Sequence, residues 1–466
     1  MEFGKQSTVA GRRKTTFRGR IVQVNDVDWH QGPGLAISKS EGRVSIDAGG
    51  RITAVDLDDD GAKGVGVHWA DGAEADYESI TIPAGSFLFP GFIDTHIHAA
   101  QYPNIGIFGE STLLEWLEKY TFPLEASLTD SDLARKVFSR CVDRTLSHGT
   151  TTATYYANNS NTSTLILADE CLKRGQRALV GRSCMDRPGQ VPDYIRDKTT
   201  EDAIDGSSQM VDEIRSRDGG RGLIEPIVTP RFAPSCTEAC LHGLGRLAKA
   251  KNCKIQTHIS ENRQEVDLVR ELYPSSKHYV DVYDTCGLLT DSTILAHAIY
   301  LSGEELQVLK ARGTKISHCP TSNAALSSGT APVRQMLDFG LDLGLGTDVS
   351  GGYSPSILEA VRHAGLMSRL LSLQSGHQGA GLKIAELLWL ATRGGARVVG
   401  KADRIGGFEV GKEFDAQLIG FPDGGPVDVW EANSTDDRVA KWVWGGDDRN
   451  VRKVWVKGRC VVDKDQ

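Results

Sequence analysis

Histidine, glutamate and aspartate side chains recur at the ends of short apolar segments. His96 and His98 end the segment FPGFIDTHIH, and His258 lies in KIQTHISEN with Glu261 three residues later. Asp348 follows the apolar run LDLGLG. Imidazole and carboxylate groups together suit a borderline divalent ion such as Zn²⁺ or Fe²⁺. These residue types therefore indicate a metal-dependent hydrolase.

The spacing of the first two histidines allows both to bind one ion. Side chains two residues apart on a strand point the same way, so the imidazoles of His96 and His98 face one side. A two-metal site of this kind needs a bridging carboxylate or a modified lysine, and Thr229–Phe232 contains neither. Lys254 opens its segment, at the opposite end from the other candidates. We therefore predict one metal, zinc or iron, bound by four ligands: His96, His98, His258 and Asp348.

The remaining histidines differ in their predicted roles. His297 lies within STILAHAIYL, and we predict that it orients water or substrate. His318, in SHCPTSN, could act at the site or only shape a pocket, and the sequence leaves both open. His148, His242 and His363 are predicted to be structural, which is the usual role of an isolated histidine.

Eight strand-like segments carry these residues, and helix-like stretches separate most of them. Strands that alternate with helices indicate parallel βαβ units, and eight such units close a TIM (β/α)8 barrel. In that fold chemistry sits at the carboxyl ends of the strands. The predicted strand segments are 89–98, 149–157, 177–186, 223–232, 254–262, 292–301, 314–323 and 341–352.

Both ends of the chain contain short β-branched runs separated by turn residues, which predict an antiparallel β-sandwich module. We expect residues 16–86 and 405–466 to form this composite domain, with the α/β barrel occupying 87–404. Lesser strand-like runs at 64–69 and 79–83 fit the same module. Residues 1–15 are predicted to be an N-terminal extension that could be disordered.

Composition limits the class of protein and its partners. The 466 residues are 39% hydrophobic and 24% charged, which is typical of globular proteins. The net charge of −8 argues against a nucleic-acid polymer as partner. We expect no membrane span, because no apolar run reaches about 18 residues. Nine cysteines without a CxxC pair indicate reduced thiols and a cytoplasmic location.

Several of these segments together resemble one known superfamily. PGFIDTHIHAAQYPN, THISEN, LAHAIYL, SHCPTSN and GTDVSGGY are similar to motifs of the metal-dependent hydrolases of the amidohydrolase superfamily. Within it, TPRFAPSC and HAAQY resemble the guanine deaminases. The resemblance covers nearly the whole chain. It implies that an activated water attacks C2 of guanine, releasing ammonia and xanthine, and that the protein is a homodimer.

The resemblance also implies a role for each matching residue. Glu261 would transfer protons, His297 would position the water, and Asp348 would accept the proton of that water. The expected substrate contacts are Gln101, Arg231, Phe232, His98, Ala99, Ala100, His258 and Glu261.

Two other functions are compatible with the same segments. The barrel could deaminate a different heterocycle, such as cytosine, a triazine, 8-oxoguanine or an adenosyl thioether. It could also be a catalytically inactive scaffold, although every expected ligand and Glu261 are present. A cytidine-type deaminase is excluded, because the chain lacks the PCxxC motif of that scaffold.

Overall fold

The computed structural model describes residues 13–25, 35–58, 77–108, 111–376 and 379–465. Its strands are β1 (Lys14–Val24), β2 (Ile37–Ile46), β3 (Ile52–Asp58), β4 (Tyr77–Thr81), β5 (Phe87–Pro90), β6 (Phe92–His98), β7 (Thr150–Tyr156), β8 (Arg177–Gly181), β9 (Ser183–Cys184), β10 (Ile224–Pro230), β11 (Lys254–Ile259), β12 (Thr293–His297), β13 (Lys315–His318), β14 (Leu343–Leu345), β15 (Ala416–Ile419), β16 (Val451–Val456) and β17 (Arg459–Asp463).

The helices follow the strands in an alternating order through the middle of the chain. They are α1 (Leu113–Trp116), α2 (Phe122–Ser127), α3 (Ser131–Ser147), α4 (Asn161–Arg174), α5 (Thr200–Asp218), α6 (Glu238–Lys251), α7 (Arg263–Leu272), α8 (Tyr279–Thr285), α9 (Gly303–Arg312), α10 (Pro320–Ala325), α11 (Val333–Phe339), α12 (Ile357–Ser375), α13 (Ile384–Trp389), α14 (Gly395–Val398) and α15 (Thr435–Gly445). Two short 3₁₀ turns (Ala99–Asn104, Ala233–Ser235) and two π-helical turns (Leu117–Thr121, Leu390–Gly394) complete the set.

The chain divides into two compact units. One comprises Met1–Phe92, Leu146–Thr151 and Lys401–Gln466, as far as these ranges are described. The other comprises Ile93–Thr145 and Thr152–Gly400. Among the described residues, no helix is both long enough and apolar enough to cross a lipid bilayer.

Eight parallel strands form a nearly closed barrel, which confirms the predicted TIM-barrel fold. Their order is β14, β13, β12, β11, β10, β8, β7 and β6, and the short β9 pairs with the end of β10. The strands are buried almost throughout; in β7 every side chain is buried. Burial on both faces is what a parallel sheet covered by helices requires.

The first and last barrel strands meet through the backbone just beyond β14. The Asp348 N–H donates to the carbonyl of His96 at 2.9 Å, and the His98 N–H donates to Val349 at 3.1 Å. These bonds bring together residues that are about 250 positions apart in the sequence. His96, His98 and Asp348 therefore lie at the same end of the barrel.

Strands from both ends of the chain form a second sheet, as predicted, but the sheet is mixed and not wholly antiparallel, because β4 and β5 each pair with β1 in parallel. Its order is β17, β16, β15, β5, β1, β2 and β3, with β4 paired to β1. In its core Phe17 stacks on Phe414 with ring centroids 4.3 Å apart. The predicted run 79–83 overlaps β4, whereas the run 64–69 lies outside the described residues. β1 begins at Lys14, inside the stretch 1–15 that the sequence predicts as an extension.

Trp442 on α15 provides a test of the aromatic core of the unit that contains the second sheet. Its ring is fully buried and stacks on Phe92 at 5.7 Å, with Phe87 and Phe89 edge-on. We expect Trp442→Ala to lower the free energy of unfolding by about 3–5 kcal/mol, because it leaves a large cavity. Trp430, which is 66% exposed, is the matched control, and Trp430→Ala should stay within about 0.5 kcal/mol. Equilibrium denaturant unfolding measures both; equal losses would contradict this account.

Candidate active site

Five buried side chains converge at the carboxyl ends of the barrel strands. His96 and His98 come from β6, His258 from β11, His297 from β12, and Asp348 from the loop after β14. Asp348 Oδ1 lies 3.1 Å from His96 Nε2 and 3.4 Å from His98 Nε2. The Nε2 atoms of His98 and His258 are 3.0 Å apart. The four residues that offer ligand atoms within 4.8 Å of one another are His96, His258, His297 and Asp348.

Hydrogen bonds fix which ring nitrogens of two histidines carry a lone pair. His258 Nδ1 lies 2.6 Å from the carbonyl of Arg231, and His297 Nδ1 lies 2.9 Å from Asn323 Oδ1. Both partners are acceptors, so each Nδ1 carries the proton and each Nε2 presents its lone pair. The lone pairs of both rings therefore point into the cluster, as they do in histidines that bind metals.

The charge state of the cluster fits a bound divalent cation. Burial lowers the pKa values of His96, His98 and His258, so these rings are neutral. Although burial opposes ionisation of Asp348, its close contact with His96 at 3.1 Å and the other nearby imidazoles lower the pKa of its carboxyl group. Among the described residues, His297 Nε2 is a buried nitrogen without a hydrogen-bond partner. Neutral imidazoles, one carboxylate and an unsatisfied nitrogen form a donor set that a metal ion would satisfy.

The backbone at these strand ends adopts a conformation that is uncommon for residues other than glycine. The φ angles of Ser260, His297, Ala298 and Asp348 lie between 47° and 72°. Such a conformation costs of order 1–3 kcal/mol and persists where surrounding bonds hold it. Here the Ala298 N–H donates to Ile259 at 2.9 Å. Backbone hydrogen bonds therefore hold these strand ends in the left-handed conformation.

Glu261 is held beside the cluster by a second buried glutamate. Its carboxylate lies 3.4 Å from His297 Nε2, and its backbone N–H donates to Glu265 Oε2 at 2.7 Å. Burial, together with the charge of Asp348, raises the pKa of Glu261 well above its usual range. Glu261 and Asp348 thus have pKa values shifted in opposite directions, the usual arrangement for an acid and a base in one site. The spacing of Asn262 and Glu265, a capping box, was the sequence signal for this support.

Asp94 links β6, the first strand of the barrel, to the loop that carries Asp348. It is fully buried and accepts hydrogen bonds from Thr347 Oγ1 at 2.5 Å and from the His96 N–H at 3.2 Å. Burial raises the pKa of Asp94 to about 7. The carboxyl group therefore fixes the backbone on both sides of the cluster without entering it.

A cleft of about 360 Å³, part of it open to solvent, lies next to the cluster. Six of the predicted substrate contacts line it, namely His98, Gln101, Arg231, Phe232, His258 and Glu261. Ala99 and Ala100 are instead buried in the 3₁₀ turn after β6 and are absent from the lining. The structure therefore brings most, but not all, of the expected contacts to one surface.

Apolar residues that the sequence reasoning missed form the opposite wall. Leu113, Trp116 and Leu117 come from α1 and the π-helical turn after it, and Leu326 follows α10. They pack with Phe232 in one apolar cluster. The spacing of Leu113, Trp116 and Leu117, three and then one residue apart, was the available signal, because it places them on one helix face.

A buried carboxylate that the sequence did not predict contacts the polar wall. Glu125 on α2 accepts from Arg231 Nη1 at 2.6 Å, from Arg231 Nη2 at 3.0 Å and from Gln101 Nε2 at 2.9 Å. Arg231 is therefore in a buried ion pair, not the surface salt bridge that is the simplest alternative. No sequence motif distinguishes Glu125 from the exposed Glu115 and Glu118 nearby.

Four other histidines of the described residues lie outside the cluster. His318 is buried at the end of β13, where burial lowers its pKa to about 3, and it does not line the cleft. His242 on α6 lies 3.9 Å from Glu238, and His363 on α12 hydrogen-bonds to Tyr353 at 2.9 Å. His148 follows α3 and is half-buried.

Comparisons with known proteins agree with this architecture. The model of the amidohydrolase family matches residues 87–461. The chain is 51% identical over 377 residues to a probable guanine deaminase of Schizosaccharomyces pombe, covering 80% of this chain and 71% of that protein. It is 46% identical over 381 residues to the guanine deaminase of Homo sapiens, covering 81% and 83%.

A solved structure shares the whole fold. The guanine deaminase from C. acetobutylicum, determined with guanine bound in the active site, superposes with a TM-score of 0.86 at 30% identity, covering 96% of this chain and 100% of that one. The family predicted from the sequence motifs is thus confirmed. The chain belongs to the amidohydrolase family, and within it to the group of the guanine deaminases.

Proposed function

We propose that this protein is a guanine deaminase, which removes the C2 amino group of guanine and releases xanthine and ammonia. One observation carries the proposal: a single cleft is lined by three side chains of the histidine–aspartate cluster, by Glu261 and by the polar pair Arg231–Gln101. The three cluster residues are His98, His258 and Asp348. The named relatives, at 46–51% identity over about four-fifths of the chain, support the same reaction.

We propose that His96, His98, His258 and Asp348 hold one zinc ion per chain. The short distances among them support this set, and iron suits the same donors. His297 lies in the same cluster, but its contact with Glu261 supports a role toward the water or the substrate. A bound zinc ion would supply Lewis acidity and lower the pKa of a water molecule to about 7.

The surrounding residues would handle the protons. Burial opposes ionisation of Asp348, but the neighbouring imidazoles lower its pKa, so its carboxylate is ionised. It would accept a proton from the attacking water. Glu261, whose pKa burial raises, would deliver its own proton to ring N3. It would then take the remaining proton of the water oxygen and pass it to the departing amine, and the proton held by Asp348 would restore Glu261. Acid–base assistance of this kind contributes about 10²–10⁴-fold to a rate. His297, whose Nε2 presents a lone pair, would accept a hydrogen bond from the attacking water and so orient it.

The cleft offers complementary surfaces for a flat, neutral purine. Arg231 can donate to the acceptor edge at O6 and N7, and Gln101 can both donate and accept. Phe232 lines the cleft while it packs in the apolar cluster, so one ring serves both packing and contact with the base. Trp116 and Leu113 would cover the remaining apolar surface of the base.

The proposed substrate can be tested by ammonia release from guanine, adenine, cytosine and 8-oxoguanine. We expect kcat/KM for guanine to exceed the others by at least about 10²-fold, because buried donors reject bases that leave them unpaired. Faster release from another base would contradict the assignment of guanine. Release from none of them would favour an inactive scaffold.

The role of Glu261 can be separated from metal binding. We expect Glu261→Gln to lower kcat by about 10²–10⁴-fold while metal content stays near that of the wild type, since the proposed role is proton transfer. The matched variant His96→Ala should lose most of its metal as well as its activity. Mass spectrometry of bound metal and steady-state kinetics measure both. Full activity of Glu261→Gln would remove this residue from the mechanism.

The cellular setting is a further proposal. All nine cysteines are free thiols, eight of them buried or half-buried, which supports a reducing compartment such as the cytoplasm. The homodimer implied by the family stays a prediction, which sedimentation of the purified protein would decide.

A further inference from the structure

Glu125 contacts both polar residues of the cleft but does not itself line it. Its side chain is about 1% exposed, and Arg231 and Gln101 are each 2% exposed. One oxygen accepts from Arg231 Nη1, and the other accepts from both Arg231 Nη2 and Gln101 Nε2. A single carboxylate therefore joins the two side chains that face the proposed substrate.

The carboxylate is itself fixed by the barrel. The backbone carbonyl of Glu125 accepts from Asn158 Nδ2 at 3.0 Å, just beyond the end of β7. The guanidinium of Arg231 also lies over the ring of Phe122, on the same helix, at 5.4 Å. The position of Glu125 thus follows from rigid elements.

Glu125 fixes the orientation of the Gln101 amide. An ionised carboxylate only accepts hydrogen bonds, so the amide nitrogen must face it. Gln101 Oε1 then faces the Ser350 N–H at 3.2 Å. One amide N–H remains for a ligand in the cleft. Oε1 also accepts from the Ser350 hydroxyl at 3.5 Å, so a ligand that donates to this oxygen would share it with Ser350.

Glu125 also determines which N–H groups of the Arg231 guanidinium remain free for a ligand, and its carboxylate neutralises the guanidinium charge. The end-on pair uses one N–H of each terminal nitrogen, which leaves Nε–H and the second N–H of Nη2 as a two-donor edge. The ion pair cancels the guanidinium charge. A buried arginine without a counter-charge would favour anions, whereas guanine is neutral and xanthine loses a ring proton more readily.

We propose that Glu125 is a positioning and specificity-determining residue of the purine site. It holds Arg231 and Gln101 as one donor–acceptor surface and makes that surface favour a neutral purine over an anionic one. The identity of the purine rests on the proposed function. Because Glu125 touches no reacting atom, its loss should act on substrate binding more than on the chemical step.

A double-mutant cycle with Glu125→Gln and Arg231→Met tests the coupling. We expect Glu125→Gln to raise KM for guanine at least about tenfold while kcat changes less, since a misplaced guanidinium weakens binding. The double variant should be no worse than Arg231→Met alone, because both changes disrupt one unit. Glu118→Gln, an exposed glutamate just before the same helix, is the matched control and should leave KM unchanged.

Inhibition by xanthine gives a readout that a general structural defect would not reproduce. Above the pKa of its ring N–H, xanthine is an anion. For each variant the measured quantity is the ratio of the affinity for the anion to the affinity for neutral xanthine. We expect this ratio to be higher in Glu125→Gln than in the wild type. Glu125→Asp keeps the charge, so it should raise KM without changing this preference. If thermal unfolding shows that Glu125→Gln does not fold, Glu125→Asp and Arg231→Met are compared instead. We then expect KM for guanine to rise in both variants.

The outcomes separate this proposal from the proposed function. Additive effects in the cycle, or an unchanged preference for neutral xanthine in Glu125→Gln, would overturn the role of Glu125 while guanine turnover stands. If the wild type binds xanthine in calorimetry but releases no ammonia from guanine, the deaminase function is overturned. The double-mutant cycle would then be calculated from the dissociation constants of purines instead of KM. Failure to bind any purine would overturn both.

Discussion

The hydrogen bond between the Nδ1–H of His258 and the carbonyl of Arg231 connects both halves of the site. At 2.6 Å it fixes the ring of His258 so that the Nε2 lone pair enters the cluster. The same peptide unit belongs to Arg231, whose side chain lines the cleft. The distance between the metal-binding end and the base-binding end of the cleft is therefore set by the pairing of β10 with β11.

Barrel closure is what makes such a cluster possible from residues distant in sequence. His96 and Asp348 are neighbours only because the backbone beyond β14 pairs with β6, and Asp94 reinforces that junction by accepting from Thr347. The junction is buried, so each polar group in it needs a partner. This requirement explains why several buried polar residues surround the site without contacting the cleft.

The parts of the site that the sequence predicts are those carried by strands. The strand ends lie at one end of a barrel whatever the details of packing, so His96, His258 and His297 could be placed from the alternation of elements alone. Glu125 and the apolar wall around Trp116 lie on helices and turns. Their contacts depend on how a helix is oriented, which hydrophobic periodicity does not specify. Arg231 was predicted as a donor to the base, but its counter-charge came from a helix about a hundred residues earlier.

Burial has opposite consequences in the two halves of the cleft. In the cluster it keeps the imidazoles neutral, so that their lone pairs are available to a cation. In the polar wall it makes an isolated guanidinium costly, and the ion pair with Glu125 removes that cost. With the proposed divalent cation bound, a cationic centre would lie beside a wall with no net charge. A neutral base can contact the wall through hydrogen bonds alone, and the electrostatic attraction for the reacting oxygen stays confined to the metal-binding end, where charge develops.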